Sequence, residues 1–236
     1  MAVNSFHKIP CWIVSCEHAY NHIPDRYQSL FDGHDDMLYS HRGWDPGALE
    51  LAKAIADTLD TDLYCFPISR LLIDPNRSLQ HPECFSRLTK NLRQEEKQLL
   101  IREFYKPYRD KIEENAVHAI SRFKKLIHLS VHTFTPVWKS RKRTVDIGLL
   151  YDPRNHKEKK FCYEWREKLK VIFPGFQIRM NRPYRGRSDG IATYLRRRLA
   201  TDDYLGIEVE VNQKYLKDSS TTWEDICRGF RDSLVQ

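Results

Sequence analysis

The chain has 236 residues and a formal net charge of +7 at pH 7, with 41% hydrophobic residues. That length and apolar content fill a full core. No window approaches the about 18 consecutive apolar residues of a membrane span, and Met1–Lys8 lacks the charged-then-apolar layout of a signal peptide; one cytoplasmic domain over 1–236 is expected. Six cysteines without a Cys-x-x-Cys pair exclude a secreted disulfide scaffold and read as reduced thiols. The positive charge gathers at Lys139–Arg143 and Arg196–Arg198, but neither cluster is interleaved with stacking aromatics, so nucleic acid is not the expected partner.

Cys11–Cys16 reads as a first strand running into Glu17, His18 and a loop closed by Ile23 and Pro24. Trp44-Asp45-Pro46-Gly47-Ala48 opens a helix through Leu59, with Asp45 placed to cap it and Pro46 in its first turn. Leu63–Ile68 reads as a second strand, followed by Ser69-Arg70 and an Asp74-Pro75-Asn76-Arg77 turn. A long helix is expected over Gln94–Arg122. After it comes an apolar strand that stops on His132, ahead of Thr133-Phe134-Thr135-Pro136.

Thr144–Tyr151 reads as strand, Lys157–Phe173 as helix and Phe176–Met180 as strand. A turn-rich loop over 181–190 opens a helix to about Ala200. In Tyr204–Gln213 the period of two puts Glu208, Glu210 and Asn212 on one face of a β-branched strand, and Trp223–Leu234 closes the chain as a helix. This alternation predicts an α/β protein with a mostly parallel or mixed sheet covered by helices.

Strand ends share one edge of such a sheet, so His18 and His132 can converge on a single site. Two histidines and one carboxylate suit a catalytic zinc, which keeps one position open for water. The carboxylate is Asp45 or Glu17, with Asp45 preferred because a helix-opening aspartate points into the space above the sheet. Glu210 is the candidate general base and Glu208 its competitor on the same face. Arg70, Asn76 and Arg77 form a group able to grip a substrate carboxylate. Arg143, which flanks the Thr144–Tyr151 strand, is a further candidate for binding substrate, and Asp146 in that strand is read either as paired to an arginine or as orienting a metal-binding histidine. Asn181 and Tyr184 are placed at the pocket mouth. No Gly-x-Ser-x-Gly elbow and no Gly-x-x-x-x-Gly-Lys loop is present, which excludes two familiar enzyme classes.

The ordered set Ser15-Cys16-Glu17-His18-Ala19, Asp45-Pro46-Gly47-Ala48, Ser69-Arg70, Asp74-Pro75-Asn76-Arg77, His132-Thr133-Phe134-Thr135-Pro136, Asp146–Pro153, Asn181 with Pro183-Tyr184, and Glu208–Gln213 resembles the N-formylglutamate amidohydrolase family over nearly the whole chain. The resemblance implies a three-layer α/β/α sandwich of the zinc-exopeptidase and aspartoacylase type, with one zinc per chain. It further implies cleavage of a small acidic N-acyl amino acid, N-formyl-L-glutamate in the leading case, to formate and glutamate. The Asp-x-Asn-Arg element resembles the aspartoacylase carboxylate grip, which supports Asn76 and Arg77 as substrate ligands. Asn21 stands where the exopeptidase pattern has a glutamate three residues after the first histidine, which leaves the carboxylate between Asp45 and Glu17. The competing expectation is a non-catalytic or nucleic-acid-binding protein on the same fold, motivated by the basic clusters.

Overall fold

The computed structural model describes residues 11–123, 125–217 and 220–235; Met1–Lys8, read above for a targeting signal, lie outside them. In chain order the elements are β1 (Cys11–Cys16), α1 (Asp35–Leu38), α2 (Ala48–Leu59), β2 (Leu63–Cys65), α3 (Gln94–Leu100), α4 (Lys106–Phe123), β3 (Leu126–Phe134), β4 (Val137–Trp138), β5 (Arg141–Lys142), β6 (Ile147–Leu150), α5 (His156–Ile172), β7 (Ile178–Met180), α6 (Ile191–Leu199), β8 (Tyr204–Asn212) and α7 (Trp223–Leu234). A π-helical stretch, Ile101–Tyr105, joins α3 to α4, so the long helix expected over Gln94–Arg122 is one rod with a local change of winding.

Six strands form a mixed, mostly parallel sheet in the order β2-β1-β3-β8-β6-β7. β1, β3 and β8 run parallel, and β6 meets β8 antiparallel. The three parallel strands therefore end on one edge, where His18 follows β1 and His132 and Glu210 lie near the ends of β3 and β8. Strand β2 is shorter than the Leu63–Ile68 expected: Phe66 still donates to Cys16 O at 3.2 Å, but Pro67 has no N–H with which to continue a ladder.

Helices on both faces complete the three layers. One face of the sheet, with Leu129, Val131, Ile207 and Val209, packs against α2, α5 and α7 through Leu51, Ile55, Trp165 and Phe230. The other packs its lower part against α4 and α6, where Ile13, Leu126 and Tyr204 meet Ile112, Ala116 and Leu195. All nine residues of β3 and all nine of β8 are buried, yet toward the strand ends the second face turns polar, carrying Ser130, His132, Glu208 and Glu210. Buried polar groups on a sheet face need partners, and theirs belong to the site. No helix among the described residues is long and apolar enough to cross a membrane.

The six cysteines are unpaired. Cys16 is fully buried in the apolar core, where it packs as a small hydrophobe and burial raises its thiol pKa well above the ordinary value. Two arginines of the second basic cluster are engaged within the chain. Arg196 points inward to Glu158 at 2.8 Å and Gly206 O at 2.5 Å, and Arg198 pairs with Glu113.

Candidate metal and catalytic site

Asp45 does not cap the helix that it precedes. Gly47, at φ +85°, occupies the cap position of α2, a left-handed conformation that suits glycine, and no side chain caps the helix. The Asp45 backbone instead donates to His18 O at 2.9 Å, which turns its carboxylate toward the end of the sheet. Asp45 Oδ2 lies 3.2 Å from His18 Nδ1 and 3.0 Å from His132 Nδ1. All three residues are buried, and one ligand atom from each lies within 4.8 Å of the others.

The far ring nitrogens are held by carboxylates. His18 Nε2 is 2.8 Å from Asp74 Oδ1, and His132 Nε2 is 3.1 Å from Glu17 Oε2. Glu17 is itself fixed by donors, Ser130 Oγ at 2.6 Å and Tyr108 OH at 2.8 Å. An imidazole that donates its Nε2 proton to a carboxylate presents a lone pair at Nδ1, and here both such lone pairs face one carboxylate oxygen. Three acceptors converge on one point, an arrangement that a shared positive charge satisfies, and Arg70 NH1 already donates to one of them, His18 Nδ1, at 3.0 Å. A carboxylate behind each metal-facing histidine is the arrangement that orients the ring and raises its basicity in metal sites. The donor set therefore fits a metal ion, and His18, Asp45 and His132 form a buried cluster that can hold one.

Charge reinforces the geometry. Burial opposes ionisation of Asp45 and Glu17, yet the histidines facing them hold both carboxyls well below the usual range. Burial likewise opposes a charge on His132, but hydrogen bonds to Asp45 and Glu17 carry its pKa well above the ordinary value. Burial also works against ionisation of Asp74, which Arg70 and His18 nonetheless keep well below the carboxylate range.

Glu210 is the opposite case. It pairs in register with His132 across β3 and with Gly148 across β6. Burial pushes its pKa up to about 8, His132 opposing the shift while Asp45 and Glu208 reinforce it. Its Oε2 is buried without a hydrogen-bond partner, so a carboxyl oxygen beside the cluster is left for something else to engage. Glu208 faces Ser130, one residue-pair deeper along the strand, and burial raises its pKa also.

The pocket over this cluster has a volume of about 690 Å³ and takes in His18, Asp45, His132, Glu208 and Glu210 together with Arg70, Asn76, Arg77 and Tyr184. Arg70 is more committed than a free substrate grip: NH2 donates to Asp74 at 2.7 Å and NH1 to His18 Nδ1 at 3.0 Å. Arg77 NH1 donates to Asp189 O at 2.7 Å, while its Nε is buried without a partner. Asn76 approaches His132 Nε2 at 3.4 Å and accepts from Ile191 N at 2.7 Å. Arg143 stands behind the wall, its guanidinium over the Tyr184, Trp138 and Phe134 rings at 5.1, 5.3 and 5.4 Å.

Three sequence readings are corrected. Glu17 lies outside the metal-facing cluster, behind His132, because its two oxygens are taken by His132, Ser130 and Tyr108. Asn181 does not line this pocket; its Oδ1 accepts from Tyr151 N and Gly186 N and so shapes the 181–190 loop. Asp146 pairs with Lys214 at 2.5 Å and accepts from Gln177 N, so it meets neither an arginine nor a metal-facing histidine. Three site residues had no sequence signal of their own. Asp74 reads only as part of the Asp74–Arg77 turn, and Tyr108 and Ser130 are not singled out within the helix and the strand that carry them. His41 also faces the pocket, packed edge-on against Trp138.

A sequence model of the N-formylglutamate amidohydrolase family matches residues 11–216, and the chain belongs to that family. Among solved structures, gene product Atu2144 from Agrobacterium tumefaciens is similar with a TM-score of 0.76 and 24% identity, covering 95% of this chain and 90% of that one. N-formylglutamate amidohydrolase from Ralstonia eutropha JMP134 is similar with a TM-score of 0.69 and 17% identity, covering 96% and 93%. These likenesses show a shared fold. A search of curated proteins finds no match.

Proposed function

We propose that this member of the N-formylglutamate amidohydrolase family is a zinc-dependent hydrolase that cleaves the amide of an N-acyl amino acid bearing a further carboxylate, N-formyl-L-glutamate being the leading substrate. The observation that carries this reading is a buried carboxyl with an unengaged oxygen, Glu210, set beside the His18–Asp45–His132 cluster. Those three residues would hold the ion, and two imidazoles with one carboxylate suit zinc. When bound, zinc supplies Lewis acidity, which acidifies water and polarises an amide carbonyl.

The chain's own side chains do the rest. Glu210 takes a proton from the attacking water and returns it to the amide nitrogen, so the C–N bond breaks with a neutral amine leaving and the water oxygen retained in the acid product. Its pKa of about 8 belongs to the metal-free site; a cation held beside it would lower that value toward neutral pH, where a carboxyl is suited to both transfers. Arg70, anchored through NH2 to Asp74, keeps a fixed positive charge beside the reacting carbonyl. Arg77, with its unpartnered Nε, and Asn76 bind the substrate carboxylate. Tyr184 and Trp138, with the Arg143 guanidinium over their rings, line one side of the pocket.

Substrate charge gives the experiment for this reading. A desolvated arginine left facing an uncharged analogue forfeits charge-assisted hydrogen bonds worth about 1.5–3 kcal/mol each, roughly ten- to a hundredfold in specificity. N-formylglutamate should therefore exceed its diamide in kcat/KM by at least that margin, and Arg77→Ala should erase most of the difference. Equal turnover of the two compounds by the unmodified enzyme removes the carboxylate grip.

Metal loading makes two further predictions. Burial opposes a charge on His132, but its hydrogen bonds to Asp45 and Glu17 raise its pKa well above the ordinary imidazole value, which favours a proton on the ring in the metal-free site. Zinc must displace that proton, so binding at pH 7 should release at least one, read by calorimetry in buffers of different ionisation enthalpy. Heat independent of buffer would contradict it. Glu17→Gln keeps the shape behind His132 but withdraws the charge, and zinc affinity by chelator competition should fall about 10–100-fold; an unchanged affinity reduces Glu17 to packing.

A further inference from the structure

The loop that closes the pocket is itself basic. Arg182, Arg185 and Arg187 follow one another within 181–190, and a second cavity of about 790 Å³ opens against them. Arg185 and Ser188 line both this cavity and the catalytic pocket, so the two spaces meet at that turn. Arg182 and Arg185 are exposed and have no carboxylate partner among the described residues. Arg187 has only Asp152 at 3.9 Å, a carboxylate that Arg154 already engages at 2.7 Å. The inner arginines differ: Arg70 is tied to Asp74 and Arg77 to the Asp189 carbonyl.

The backbone that displays these cations is pinned at both ends. Asn181 Oδ1 accepts from Tyr151 N and Gly186 N, and Ser78 N donates to Asp189 Oδ2 at 2.7 Å. Gly148 has no side chain because Arg182 O would lie 2.0 Å from its Cβ, and Gly186 none because the Tyr151 backbone would lie 2.2 Å away. Cations displayed on a fixed concave wall with few internal counter-ions focus positive potential on whatever lies in front of them. The catalytic pocket is moreover several times the bulk of an N-formyl amino acid.

We propose that the 181–190 loop forms an extended anion subsite, and that the chain accepts N-acyl acidic peptides longer than a single amino acid. The acylated residue sits over the His18–Asp45–His132 cluster, and the carboxylate of the following residue passes Arg185 toward Arg182. The inference rests on the hydrolase reading of the same site.

Binding separates the two. Calorimetry on the zinc-loaded Glu210→Gln protein should show N-formyl-Glu-Glu binding about tenfold or more tighter than N-formyl-Glu-Gln. The difference should shrink as salt is raised and disappear when Arg182→Gln and Arg185→Gln are added. Equal affinity for the two dipeptides overturns the subsite, as does a preference that survives both substitutions. A short oligonucleotide bound as tightly as N-formyl-Glu-Glu overturns the acidic-peptide assignment. Formate release from N-formylglutamate by the unmodified enzyme tests the underlying reading alone. If it is absent while the dipeptide preference persists, the reaction falls and the subsite stands.

Discussion

His132→Ala should lose both the bound metal and hydrolysis. The substitution removes the Nδ1 that faces Asp45 and leaves Glu17, fully buried, without its imidazole partner and held only by Ser130 and Tyr108. Losing a ligand should cost more affinity than the about 10–100-fold of an outer partner. Lewis-acid stabilisation is worth several kcal/mol, so kcat should fall by about a thousandfold or more. An unpaired buried charge also destabilises a fold by about 3–5 kcal/mol, so the variant should melt earlier. Combining it with Glu17→Gln should recover stability without recovering metal. Zinc retained at one equivalent in His132→Ala would remove the residue from the cluster.

Glu210→Gln should keep the metal and lose the rate. Glutamine fills the same space in register with His132 but cannot carry a proton between water and the leaving amine, so kcat should drop by about 10²–10⁴ while zinc affinity stays near that of the unmodified enzyme. Stability supplies an independent sign. The folded-state pKa of Glu210 is raised to about 8 from an ordinary value of 4.5, so the protonated carboxyl favours the fold at low pH and that contribution is lost as pH rises toward 8. In the metal-free protein the variant should therefore gain relative stability with pH across that window. If Glu208→Gln is instead the metal-loaded, inactive variant, the proton shuttle lies one residue-pair deeper.

Much of this site was legible because strand chemistry is local. An apolar strand with a histidine near its end, twice, and a β-branched strand that alternates glutamates on one face both announce positions on one sheet edge, and the register of β3 and β8 brings His132 beside Glu210. The choice between Asp45 and Glu17 was not local. It turned on Gly47 taking the cap position of α2 and on Tyr108, 91 residues from Glu17, claiming one of its oxygens. Asn181 misled because a turn asparagine that braces its own loop looks, in sequence, like one that faces a ligand. β2 shrank where Pro67 offers no N–H to the ladder, and β6 is Ile147–Leu150 although the Asp146 backbone still bonds to Gln177 and Asn212.

The most direct test is formate release from N-formyl-L-glutamate by chelator-stripped protein before and after reconstitution with one equivalent of zinc. The account predicts negligible turnover in the stripped protein and recovery at a zinc-to-chain ratio of one, with Glu210→Gln equally loaded and inactive. Equal formate release with and without the metal would contradict it.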